Sequence, residues 1–139
     1  MTANNNDLVR EWYKFSMTDL ATAKHLNDTM RPKPLEIICY HCQQAAEKML
    51  KGFLVSNGII PPKTHDLHQL RNDCTEINNA FDELYDICAF LTQYSSQPRY
   101  PNEIEISEID VERALKAAQE MIEFFEGQGI ELKPPNTTT

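Results

Sequence analysis

Apolar residues recur at intervals of three and four along almost the whole chain, and no stretch alternates convincingly with period two. That pattern commits the chain to helices. The chain also contains only 4 Gly in 139 residues. Hairpin-rich architectures need many residues at positive φ, so they are disfavoured. The length fits one domain, with a core large enough to bury roughly two thirds of the unfolded chain's surface. Hydrophobic residues at 41% and charged residues at 24% are ordinary for a soluble protein.

The periodicity predicts five helices. The first spans about Asp7 to Met30, with Leu8, Trp12, Phe15, Ala23, Leu26 and Met30 on one face. Asp19 falls within that stripe. Arg31-Pro32-Lys33-Pro34 ends the helix, because proline cannot donate in a helix interior. The second spans Leu35 to about Asn57, with Leu35, Ile38, Cys39, Cys42, Ala45, Ala46, Met49, Leu50 and Phe53 inward. Gly52 on this helix permits a close approach by another. Thr64 is a plausible N-cap for a third helix over about Asp66 to Ile77, with Leu67, Leu70, Cys74 and Ile77 inward. The fourth covers about Ala80 to Tyr94 and buries Phe81, Leu84, Tyr85, Cys88 and Leu91. Ser95 to Ile106 is expected to be loop. The fifth opens at Ser107, with Asp110 in a capping-box-like pattern, and ends near Gly127 and Gly129. The expected fold is an all-α, antiparallel four-helix up-and-down bundle with a short extra helix. It occupies residues 7–127, with flexible termini at 1–6 and 133–139.

Charge sharpens the search for a site. The formal net charge is -8. Non-specific binding to long nucleic acid or anionic membrane needs basic excess, so neither is expected. The deficit is uneven: residues 72–139 are net -10, whereas residues 31–71 are net +3. An anionic ligand is therefore sought first in the basic segment. No apolar run reaches the 18 or so residues of a membrane span, and the polar start from Met1 to Asp7 is no signal peptide. Four scattered cysteines then point to reduced thiols in a cytoplasmic protein. Cys39 and Cys42 have C-x-x-C spacing but lie on the apolar stripe, where a free cysteine behaves as a small hydrophobe. No metal site and no cofactor is expected, and no catalytic residue is assigned.

Two features carry chemistry. Asp19 on an apolar stripe costs free energy unless paired, so it needs a cation or donor. Lys48, His41, His65 and Arg99 are the candidates, the alternative being that Asp19 snorkels at the rim of the stripe. The second feature is the row His41, Gln44, Lys48 and Lys51, aligned along one face of the second helix. It is either a solvated face or the lining of a groove that offers charge and amide groups to a phosphate or base. Glu47 and Lys51 also form an i, i+4 pair of favourable polarity. No glycine-rich phosphate loop is present.

Gln43-Gln44-Ala45-Ala46-Glu47-Lys48-Met49-Leu50-Lys51 resembles the second-helix signature of the HEPN domain (higher eukaryotes and prokaryotes nucleotide-binding). Thr64-His65-Asp66-Leu67 is similar to its T-H-D-L segment, Arg99-Tyr100-Pro101 to its R-Y-P segment, and Asp19-Leu20 to the D-L pair of its first helix. The resemblance covers about residues 7–127. It implies a helical bundle that commonly dimerises around a groove. It also implies a nucleotide or other small phosphorylated ligand, or a minimal nucleotidyltransferase as partner in a toxin–antitoxin-like pair. The ligand-binding residues it singles out, together with the polar row, are Asp19, His41, Gln44, Lys48, Lys51, His65, Arg99 and Tyr100. Ribonuclease branches of the family carry an Arg followed after four to six residues by His, and none of Arg10, Arg31, Arg71, Arg99 or Arg113 is followed so. The expectation is a binding module. The alternatives are a metal-independent endoribonuclease using His65 and Arg99, or a purely structural oligomerisation domain.

Overall fold

A computed structural model of the chain describes residues 5–96 and 105–132. Its helices are α1 (Asn5–Thr29), α2 (Leu35–Ser56), α3 (Leu67–Ile77), α4 (Tyr85–Leu91) and α5 (Glu108–Gly127). Short 3₁₀ turns over Asn79–Leu84 and Thr92–Tyr94 flank α4. The expected all-α bundle of five helices is present, with no strand among the described residues. The termini expected at 1–6 and 133–139 lie mostly outside the described residues, and Asn5 and Asn6 belong to α1.

The helix α2 is central and packs against each of the other four. Its apolar stripe explains this: Ile38, Cys39, Cys42, Ala46, Met49 and Leu50 are completely buried. The helices α1 and α2 run antiparallel, as shown by the hydrogen bonds from Asn5 to Val55 O and from Ser16 to Ala45 O. They can approach closely because position 52 is glycine. A Cβ there would lie 2.6 Å from Cε1 of Tyr13. The Tyr13 ring is itself buried and meets Phe125 of α5 edge-on at 6.0 Å. An aromatic cluster of Phe53, Phe81, Phe124 and Phe125 closes the far side of the core.

Several local expectations need correction. Asp66, not Thr64, caps α3: its carboxylate accepts from His68 N, while Thr64 Oγ1 accepts from Asp66 N in the preceding turn. The predicted fourth helix is α only over seven residues, because Asn78 accepts from Ala80 N and starts a tighter 3₁₀ turn. Tyr85 faces outward rather than into the core, at 53% exposure, and Ile77 is also exposed. The buried face of α1 is Tyr13, Ser16, Asp19, Leu20 and Ala23, which leaves Leu8, Phe15 and Met30 about half exposed. The cause is that Gly52 draws the Tyr13 side of α1 inward. The capping box of α5 is present, with Ser107 and Asp110 each accepting from the other's backbone N–H.

The loop between α2 and α3 positions the site. It carries the chain back along α2, so His65 meets Gln43 and Glu47 in the middle of that helix. A short hairpin would have left His65 beside the end of α2.

Candidate functional site

The polar face of α2 forms a band between α1 on one side and the returning loop on the other. Angular order around the helix runs His41, Lys48, Gln44, Lys51, Glu47, Gln43. Two carboxylates organise it.

Asp19 of α1 anchors one margin. Its Oδ2 accepts from Lys48 Nζ at 2.6 Å, and its Oδ1 lies 2.9 Å from His41 Nδ1. Asp19 is therefore paired within the fold, and it does not snorkel at a rim: the residue is only 8% exposed. An ionised carboxylate only accepts, so Nδ1 of His41 carries the proton. His41 and Lys48 are half-buried.

Glu47 anchors the other margin, and is itself buried. Its Oε2 accepts from Lys51 Nζ at 3.0 Å. Its Oε1 accepts from Gln43 at 3.2 Å and lies 2.9 Å from His65 Nδ1. Burial pushes the Glu47 carboxyl up, but the hydrogen bonds from His65, Lys51 and Gln43, with the Lys51 charge, outweigh it and hold the group below its ordinary value. Gln43 is fully buried and also donates to His65 O, tying the loop to α2. Gln44 joins this margin, donating to Gln43 Oε1 at 2.8 Å and to Glu47 Oε1 at 3.4 Å. Lys51 lies 6.0 Å over the Trp12 ring of α1.

Six of the eight sequence-predicted site residues thus fall on one band: Asp19, His41, Gln44, Lys48, Lys51 and His65. Arg99 and Tyr100 lie outside the described residues. His65 pairs with Glu47 rather than with Asp19. Sequence reasoning missed Glu47 as a hub and Gln43 and Trp12 as members. The interval Gln43, Glu47, Lys51 at i, i+4, i+8 was the available signal.

The band has two chemical properties. With neutral imidazoles its charges sum to zero, since two carboxylates face two ammonium groups. Its histidines use Nδ1 on a carboxylate, which leaves Nε2 for another partner. The His65 side chain is 67% exposed, so its Nε2 is open to solvent. The cysteines contribute nothing here. All four are buried and none is in a disulfide, and burial raises the thiols of Cys42, Cys74 and Cys88, the last to about 12. No described helix is long and apolar enough to cross a membrane.

Two solved structures resemble this one. The crystal structure of TT1696 from Thermus thermophilus is 25% identical, with a TM-score of 0.72, covering 86% of this chain and 97% of that one. The structure of ST0689, an archaeal HEPN homologue, is 24% identical, with a TM-score of 0.65, covering 86% and 96%. Comparison with curated proteins found no match. The family model of the HEPN domain matches residues 9–128, which takes in α1 from Val9 onward, α2 to α5 and the whole polar band. The chain belongs to the HEPN domain family.

Proposed function

We propose that this HEPN chain is a self-associating binding module. Its ligand is a nucleotide or another small phosphorylated molecule, or the corresponding surface of a minimal nucleotidyltransferase partner. The band on α2 is the recognition site. The observation that carries the reading is the density of half-buried polar groups there. A helical bundle gains little from buried ion pairs, because desolvation offsets the attraction. Two such pairs along one helix, each joined by a histidine, exceed what packing requires. A phosphate entering the band would draw on Lys48 and Lys51 for charge, Gln44 for an amide N–H and the Nε2 edges of His41 and His65 for hydrogen bonds.

Calorimetric titration tests this. Wild-type protein is expected to give heat with ATP or GTP, and Lys48→Ala is expected to lose it. No heat with either nucleotide disposes of the small-ligand version. The partner version predicts a nucleotidyltransferase in tagged pull-downs from the source cells, and its consistent absence counts against that version.

One observation favours a second reading. Both carboxylates already have their cations within the chain. A purely structural oligomerisation domain would use the band only to lock α1 and the returning loop onto α2. Under that reading Lys48→Ala lowers stability and no nucleotide binds.

A further inference from the structure

The ammonium groups of the α2 band are already committed. Lys48 Nζ donates to Asp19 Oδ2 at 2.6 Å, and Lys51 Nζ donates to Glu47 Oε2 at 3.0 Å. The other oxygen of each carboxylate faces an imidazole Nδ1 at 2.9 Å, that of His41 on Asp19 and that of His65 on Glu47. A phosphate entering this network meets two cations balanced by two anions. Drawing either lysine away would leave Asp19 or Glu47 buried without its cation, which is costly. The band therefore has little positive charge to offer while both imidazoles are neutral.

The hydrogen-bond geometry adds a second constraint. An ionised carboxylate only accepts, so it fixes the imidazole proton on Nδ1, and the neutral ring turns a bare lone pair outward at Nε2. A phosphate oxygen also only accepts. Neutral His41 and His65 thus have no proton at Nε2 to give it. A proton on Nε2 removes both obstacles: the edge becomes a donor, and the band gains a positive charge with neither ion pair broken. The counter-ion is already in place on Nδ1. The neighbouring charges leave this arrangement intact. At His41, Lys48 stays on Asp19, and Lys24 of α1 turns instead to Gln119 of α5 at 2.8 Å. At His65, Lys51 stays on Glu47, Lys63 of the loop is exposed, and the Asp66 carboxylate accepts from His68 N at the start of α3.

We infer that phosphate binding at the α2 band is coupled to proton uptake: His41 and His65 each take a proton from solvent at Nε2 and donate it to the ligand's phosphate oxygens, while Nδ1 stays on Asp19 or Glu47. The site thus passes from a neutral band to a cationic one as the anion arrives. Affinity for a phosphorylated ligand falls as pH rises through the range in which imidazoles lose a proton, between about pH 5 and 8. Each proton taken up weakens binding by up to about tenfold per pH unit. The inference rests on the recognition site proposed above and names its regulation.

The test is calorimetry of ATP with the full-length protein, in pairs of buffers that differ in ionisation enthalpy. At about pH 8 the terminal phosphate of ATP is ionised, so the buffer dependence of the heat counts protons taken up by the complex. A positive count is expected, with binding at least about tenfold weaker at about pH 8 than at about pH 6. Heat at about pH 6 that vanishes at about pH 8 supports the coupling as well. His41→Gln and His65→Gln keep an amide to donate to the carboxylate but cannot take the proton. Each is expected to lower the count and flatten the pH profile, circular dichroism checking that both fold. The wild-type count decides without them should either fail to fold. Heat without proton uptake, affinity that rises with pH, or a count that both folded variants keep in full overturns the coupling and leaves the recognition site standing. No heat with ATP or GTP anywhere between about pH 6 and 8 overturns the recognition site and the coupling with it.

Discussion

Two faces of this bundle carry comparable numbers of charged side chains and treat them in opposite ways. In the α2 band both carboxylates, Asp19 and Glu47, are buried and each has an ammonium group on it. Along the groove between α4 and α5, Arg113, Lys116 and Glu120 are exposed and form no ion pair among the described residues. The difference is energetic. A buried charge must be compensated inside the fold, whereas an exposed one is compensated by water. The α2 band is therefore part of the structure as well as a proposed site, and the exposed charges of the groove can vary at little cost to folding. Substitutions in the two regions should separate on that basis.

The largest separation is expected from losing one carboxylate in each. Glu47→Ala leaves the Lys51 ammonium buried without its partner, and breaking such a pair costs about 3 kcal/mol or more. Glu120→Ala should stay within about 0.5 kcal/mol, the usual range for an exposed position. Urea denaturation of both proteins checks the pair. Equal losses would break the comparison.

Next in size is Gly52→Ala. The new methyl group meets a Tyr13 ring that packing holds in place, and overpacking of this kind costs about 1–3 kcal/mol. The displacement of α1 should also carry Asp19 away from Lys48, so nucleotide heat, where present, should fall together with stability. An unchanged melting temperature would mean that the Tyr13 ring moves freely.

A smaller effect is expected at the start of α5. Ser107→Ala removes half of the capping box and should cost about 1 kcal/mol. Urea denaturation checks it, and an unchanged midpoint would mean that the cap contributes nothing to α5.

The smallest effect is one of pH. Hydrogen bonds hold the Glu47 carboxyl below its ordinary value despite burial. Its stabilising contribution is therefore complete above the unfolded-state value and is lost as pH falls through the folded-state value. Glu47→Gln should start less stable and lose less on acidification than wild type. A parallel acid limb in the two proteins would mean that Glu47 is not compensated as described.

The legible and illegible parts of the sequence divide along the same physical line. The α2 stripe is readable because nine inward positions repeat at helical spacing over 22 residues, and almost all are buried. The pairing of Asp19 is readable as a need, since an acid on an apolar stripe demands a partner, and two of the named candidates meet it. What is not readable depends on how helices lean. The inward face of α1 is set by the Gly52–Tyr13 approach, which no hydrophobic wheel of α1 contains. The meeting of His65 with Glu47 depends on the path of the α2–α3 loop, and loop paths leave no periodic signal. The 3₁₀ entry to α4 follows from one asparagine cap that a propensity reading does not weigh against an apolar repeat.

In the proposed function the α2 band, with its paired charges, receives the ligand. The most direct measurement follows the imidazole ¹⁵N resonances of His41 and His65 while ATP or GTP is added. Both Nε2 signals are expected to move saturably, while backbone signals of Arg113 and Lys116 in the groove stay still. Stationary histidine signals with either nucleotide, or movement confined to the groove, would contradict it.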